Sequence, residues 1–367
     1  MPDAELVQRA KSLIDRLCEN PRFAGSPEEA HVRELCKAEL TGAGFDCREI
    51  PFDYSQFPAR WGPPLSAAVQ AATIIVVARM AMIGQPLAAL LVGAAIVAVL
   101  VWIDTYTKRR WVTTFPAQRA RSVNLEATRG TPRVWLVAHL DSKGQTMPML
   151  LRIAGSVALS VLMLITALLL LLALVGVDAP PGFWSGLEIA AVWAALPGIT
   201  CFVANFSAGA VDNASGVVAV VLAAQSPQAP RDLGILITSG EELGLSGARA
   251  WAESARPDIQ VLNCDTVDDA GDWRCMYTGL HPDRLMEAAR SVTQRAGERL
   301  RAGRLIPGIL ADNIAFADRG IPAVTLSRGT LATLGRIHTR RDNSNAVTGR
   351  GAAEASVLLS ALAKELT

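Results

Sequence analysis

The chain has 367 residues, with 35 lysines and arginines against 34 aspartates and glutamates, for a formal net charge of +1. That balance gives no case for nucleic acid as a partner, which would want a basic stripe. With 51% hydrophobic residues, 19% charged ones and a mean hydropathy of +0.29, the composition is too apolar for an ordinary soluble enzyme and points to membrane spans.

Leu6, Ala10, Leu13, Ile14 and Leu17 recur at helical spacing and predict a first helix, while the mixed charges of residues 1–17 are unlike a signal peptide. Ser26-Pro27-Glu28-Glu29 reads as a capping box that starts a helix running to about Leu40. Gly42 and Gly44 stop it, and Phe45 to Phe52 alternates as a strand. Arg22 and Glu29 are expected to serve structure, as a surface charge and a cap. Six cysteines (Cys18, Cys36, Cys47, Cys201, Cys264 and Cys275) contain no close pair, so reduced thiols are expected rather than a disulfide framework.

Two apolar runs follow, Leu65 to Ile83 and Pro86 to Ile103, joined by a Gly84-Gln85-Pro86 turn. Each approaches the roughly 20 residues that a bilayer core requires of a helix. Arg79 lies near the end of the first, where it can snorkel, and Trp102 and Tyr106 take interfacial positions. From Ser122 a soluble pattern returns, with strands at Val123 to Leu125 and Val134 to Ala138, the latter ending in His139-Leu140-Asp141. A second apolar pair, Ile153 to Val177 and Leu187 to about Phe206, is joined by Asp178-Ala179-Pro180-Pro181-Gly182. The expected organisation is a soluble domain in three pieces, 1–64, 107–150 and 207–367, interrupted by transmembrane hairpins at 65–106 and 151–206. Hairpins return the chain to the side it left, which puts the motifs in one compartment and the catalytic mouth near the bilayer. Arg60, Lys108, Arg109, Arg110, Lys143 and Arg152 flank the spans on that side, against Arg79, Asp178 and Glu188 at the far turns. Positive charge predicts that the domain faces the cytoplasm from an inner or plasma membrane.

Residues 209–216 (Gly-Ala-Val-Asp-Asn-Ala-Ser-Gly) open a helix that continues from Val217 to Ala224. A strand, Leu233 to Ile237, leads into Thr238-Ser239-Gly240-Glu241-Glu242-Leu243-Gly244, and another, Val261 to Asp265, ends in an acid. The acidic turn Asp268 to Asp272 is expected to be solvated. Pro282 to about Arg301 reads as a surface helix, Ile321 to Leu326 as a last strand and Gly351 to Leu366 as a closing helix. His31 and His281 sit in no motif and are expected to be exposed.

Adjacent carboxylates such as Glu241 and Glu242 repel and raise each other's pKa unless a cation lies between them or they have different tasks. A metal-dependent hydrolytic site supplies both conditions. His139 and Asp141 share one face of a strand, the spacing at which a carboxylate orients a ligating imidazole. In open α/β sheets, ligand sites lie off the carboxyl ends of strands, so these separate strand ends are expected to converge.

The ordered set His139-Leu140-Asp141, Asp212-Asn213-Ala214-Ser215-Gly216, Glu241-Glu242, Asn263-Cys264-Asp265 and Ile337-His338-Thr339 resembles the M28 family of zinc exopeptidases. Residues 21–27, and Asp312 with residues 316–322, are similar to flanking pieces of the same family. The resemblance implies an α/β fold, a mixed central sheet flanked by helices, here with about four inserted transmembrane helices. It implies two zinc ions, with Asp212 bridging, His139 and Asp265 on one ion, Glu242 and His338 on the other, Glu241 as general base and Asp141 behind His139. In many relatives the peptide bond after the bridging acid is cis, here Asp212 to Asn213. Asn313 stands where a histidine is common, which bears on substrate contacts. The implied activity is an aminopeptidase acting on peptides. Alternatives are an amidase for N-acyl or lipid-linked amino acids and a noncatalytic scaffold. Glutaminyl cyclisation at a single zinc is disfavoured by the intact His139-Leu140-Asp141.

Overall fold

The computed structural model describes residues 2–106, 115–306 and 308–367. Lys108, Arg109 and Arg110, and the side chain of Tyr106, lie outside the described residues. The chain divides into two compact units, one of Met1–Ser55, Phe115–Gly144 and Asn205–Thr367, the other of Gln56–Thr114 and Gln145–Ala204.

The first unit is built on eight strands: β1 (Asp46–Ser55), β2 (Arg119–Arg129), β3 (Val134–His139), β4 (Leu233–Thr238), β5 (Gln260–Val267), β6 (Asp272–Tyr277), β7 (Leu300–Arg304) and β8 (Ala323–Gly329). They form one mixed sheet in the order β1-β2-β4-β3-β5-β8-β6-β7. The centre, β4-β3-β5-β8, is parallel, and the edges are antiparallel except for the β6–β7 pair. Every residue of β3 and β4 is buried, which is why both read as unbroken apolar runs rather than alternating ones. Helix Ser215–Gln225 is apolar on all sides and buried along its length, because it lies between the sheet and the closing helix Arg350–Leu366. On the sheet, Trp135, Trp251 and Phe316 stack edge to face at 4.7 and 5.9 Å between centroids. The chain leaves β3 toward β4 on one side and leaves β5 toward the strands on the other, so the carboxyl ends of these adjacent strands lie at a switch point, where α/β sheets place their ligand sites.

Several elements depart from the sequence reading. The helix expected to reach Arg301 ends at Arg295 and gives way to β7, and β6 occupies a stretch with no strand signal. These two sit at the sheet edge, where polar residues are tolerated on both faces. The acidic turn is not solvated throughout: Asp268 is buried and accepts from Thr333 Oγ1 at 2.5 Å and Arg336 Nη2 at 2.6 Å. Arg22 and Glu29 are interior rather than surface residues, both fully buried.

Among its described residues the second unit holds four helices long and apolar enough to cross a membrane, Phe57–Met82, Pro86–Tyr106, Met149–Leu174 and Pro181–Ile199. Close approach among them depends on small residues. A Cβ on Gly198 would stand 2.5 Å from Ala67 Cβ, and one on Gly155 would stand 2.7 Å from the Ala194 carbonyl oxygen. Large apolar side chains face outward, among them Leu164, Trp193, Leu91 and Ile189. The first helix begins eight residues before the hydropathic run, continuing through Pro63 and Pro64, and the last starts at Pro181 rather than Leu187. Proline suits the first helical turn, whereas hydropathy marks only where apolar residues accumulate. Arg79 does not stand alone. Its Nε and Nη2 each lie 2.6 Å from an oxygen of Glu188, making a two-point ion pair between the first and fourth helices.

Candidate metal centre

His139 closes β3, and its Nδ1 lies 3.0 Å from the Asp141 backbone carbonyl. A carbonyl only accepts, so Nδ1 carries a proton and Nε2 is left to hold either a second proton or a metal ion. That atom is buried and makes no hydrogen bond, yet it stands 3.1 Å from Asp212 Oδ1 and 3.4 Å from Asp265 Oδ1. A lone pair facing two carboxylate oxygens is repulsive until a cation lies between them.

The second half mirrors the first. His338, in the left-handed region at φ 61°, places Nε2 2.9 Å from Glu242 Oε1 and 3.2 Å from Asp212 Oδ2. Asp212 thus turns one oxygen toward each histidine. The donor atoms of His139, Asp212 and Asp265, and those of Asp212, Glu242 and His338, each lie within 4.8 Å of one another. Imidazole nitrogen with carboxylate oxygen is a donor set that suits zinc, so the residues present fit the metal.

Local structure explains the placement. Asp212 and Asn213 leave helical geometry (φ −120° and −141°) just before helix Ser215–Gln225, and the peptide bond between them is cis. Asp342 accepts from the Val211 and Asp212 amides at 2.8 and 3.2 Å. Asn213 ties this bend to β5, donating to the Cys264 carbonyl at 2.9 Å and accepting from the Thr266 amide at 3.2 Å. Gly216 is required here, since a Cβ would fall 2.2 Å from Asn213 Oδ1. Asp141 clamps the Glu-Glu turn, its two oxygens accepting the Glu241 and Glu242 amides at 3.1 and 3.2 Å. It holds His139 chiefly through its backbone carbonyl, the carboxylate being 3.7 Å from Nδ1.

Sequence reasoning missed two cations. Arg22 donates to the carbonyls of Leu17, Leu140, Ala208 and Gly209, binding the loop after β3 to the approach to Asp212. Lys143 places Nζ 2.7 Å from Glu242 Oε2. Its only sequence signal was adjacency to a motif, which also fits a charge flanking a span. Asp312 is buried against Thr238 Oγ1 at 2.5 Å, and Asn313 donates to the Met276 carbonyl at 3.4 Å. His31 and His281 are exposed.

For the polypeptide alone, burial pushes the Glu241 carboxyl well above the usual range, reinforced by the charges of Glu242, Asp265 and Asp312. Burial acts the same way on Glu242, but there His338 and Lys143 outweigh it and the pKa falls. Adjacent acids are therefore driven apart, one basic and one firmly anionic. Burial would lower the His139 pKa, but Glu241 and the neighbouring acids Asp141, Asp212 and Asp265 raise it well above the ordinary value. The cluster draws a cation to this point, whether a proton or a metal ion. Burial pushes Asp312 up to about 7.

A family model, Peptidase family M28, matches residues 123–363. The chain belongs to peptidase family M28. Among solved structures, an aminopeptidase from Aneurinibacillus sp. strain AM-1 shares 16% identity over 98% of this chain and 93% of its own, at a TM-score of 0.55. A zinc aminopeptidase from Bacillus subtilis gives 14% over 97% and 94%, at 0.56. The glutaminyl cyclase of Fimbriiglobus ruber gives 14% over 98% and 95%, at 0.54. These likenesses carry the fold, the zinc exopeptidase fold. No curated protein sequence matches the chain significantly. As an M28 member the protein is a zinc-dependent metallopeptidase with peptide substrates.

Proposed function

We propose that this M28 peptidase is a dinuclear zinc aminopeptidase, with catalytic machinery on a soluble domain into which two membrane hairpins are inserted. The observation that carries the reading is Asp212, whose two oxygens face two separate histidine-containing donor groups. His139 and Asp265 would complete one zinc position, and Glu242 and His338 the other. When bound, the two ions would lower the pKa of an attacking water and polarise the scissile carbonyl. Glu241, made basic by its surroundings, takes the proton from that water and returns it to the leaving amine. Asp141 keeps both glutamates in place by holding their amides.

Four long apolar helices support embedding in a bilayer, and the flanking Arg60 and Arg152 support a cytoplasmic catalytic domain. An impermeant protease acting on intact and inverted vesicles tests that orientation.

The test of activity is hydrolysis of a free-amine dipeptide amide and its N-acylated twin by detergent-purified protein, with zinc, with a chelator, and with Glu241→Gln. Preference for the free amine, lost in the variant and on chelation, is the expected result. Preference for the acylated twin would replace the aminopeptidase with an amidase. Absence of metal-dependent turnover of either would leave a noncatalytic scaffold.

A further inference from the structure

The two donor groups differ in what stands behind their carboxylates. Among the described residues, no lysine or arginine forms an ion pair with Asp212 or Asp265, whereas Glu242 is shared between His338 on Oε1 and Lys143 on Oε2, at 2.9 and 2.7 Å. Lys143 also donates to the Glu242 backbone carbonyl at 3.2 Å, so it is held at both ends of that residue. Its side chain is only 11% exposed, which leaves its charge poorly screened by water.

We propose that Lys143 is a positioning residue that makes the two zinc positions unequal: it confines Glu242 to one-oxygen ligation and weakens the Asp212–Glu242–His338 position. This rests on the dinuclear reading above. The physical argument has two parts. An ammonium hydrogen-bonded to a carboxylate withdraws negative charge from it, so the remaining oxygen is a poorer donor to a second cation. The ammonium also repels a divalent ion placed on the far side of the same carboxylate, a repulsion that low exposure preserves. The opposing effect is orientation, since a partner that holds a ligand in place ordinarily raises affinity. Lys143→Gln separates the two, because glutamine keeps an N–H donor and drops the charge.

Zinc titration of the chelator-stripped, detergent-purified full chain, with bound zinc counted by mass spectrometry, reads both positions. In the wild type two ions are expected to bind in two steps, the weaker one absent from His338→Ala. Lys143→Gln should tighten that weaker step about tenfold or more and leave the stronger one unchanged. Lys143→Met, which loses the donor as well, should tighten it less. If both steps persist and Lys143→Gln leaves the weaker one unchanged or loosens it, the Lys143 proposal falls while the dinuclear reading stands. If a single zinc binds to the wild type and to Lys143→Gln alike, the dinuclear reading falls and takes this proposal with it. Circular dichroism of each variant shows that it is folded before titration.

Discussion

In the sheet unit Asp141, Asp212, Glu241, Glu242 and Asp265 are buried around His139, His338 and Lys143, while in the apolar unit the buried acid Glu188 is matched by Arg79. The first arrangement carries more negative charge than its own side chains neutralise, and the second is closed on itself. A buried anion without a partner is costly enough that proteins avoid it unless something else is meant to complete the site. The excess at the strand ends therefore reads as a place for cations, and the balanced pair reads as a joint between helices.

Removing the shared carboxylate breaks the first arrangement most severely. On the dinuclear reading, Asp212→Asn should lose both zinc ions and all measurable peptidase activity, as read by metal content and turnover. Glu241→Gln should keep both ions yet lower kcat by about 10²- to 10⁴-fold, the usual worth of a general base. Loss of metal in Glu241→Gln would instead make Glu241 a ligand and overturn the division of labour between the two glutamates.

Arg22 tests whether the excess is held in place from behind. Replacing it with methionine strands four carbonyls at once, three of them buried, which should destabilise the sheet unit by about 3 kcal/mol. Lysine should not rescue it, since one ammonium cannot reproduce the planar fork. Denaturant unfolding measures the loss, and a variant as stable as wild type would show that these carbonyls find other partners.

The balanced pair should be less demanding. Glu188→Gln is expected to cost about 2 kcal/mol, less than a fully enclosed pair because Arg79 is 68% exposed. Swapping the two charges, Arg79→Glu with Glu188→Arg, should recover most of it if the pair is a joint. A swap no more stable than the single variants, by thermal unfolding in detergent, would remove that role.

The same contrast explains what the sequence disclosed. His139, Glu241 and Asp265 lie on or just after strands whose apolar runs are unmistakable, and Asp212 opens a helix of Val and Ala, so local pattern and motif order agree. Arg22 could not be read this way. An arginine after Asn20-Pro21 resembles any surface charge until the carbonyls of distant loops are seen around it. Arg79 and Glu188 are 109 positions apart, and no local signal says that they meet. The edge strands β6 and β7 (Asp-Trp-Arg-Cys-Met-Tyr and Leu-Arg-Ala-Gly-Arg) are made by pairing with neighbours rather than by their own hydrophobic pattern.

Glu29 supplies the mildest test, because it is a buried acid outside both donor groups. Its Oε2 accepts from the Gly25 amide at 2.6 Å and from Ser122 Oγ at 3.1 Å, and its Oε1 has no partner. Burial, with the charge of Asp141 behind it, pushes the pKa up to about 7, against 4.5 for the free group. Between those values the folded chain binds a proton that the unfolded chain has released, so this group's contribution to stability falls as pH rises from 4.5 to 7 and is flat beyond. Glutamine can place its carbonyl where Oε2 lies and its amide where Oε1 lies unpaired. Glu29→Gln should therefore match or exceed the wild type in stability at pH 8, and the wild type should gain on it as the pH is lowered toward 5. Unfolding of both proteins across that range gives the difference directly. A difference that stays constant with pH would mean that Glu29 is charged in the folded protein throughout, and that its surroundings are better hydrated than its burial indicates.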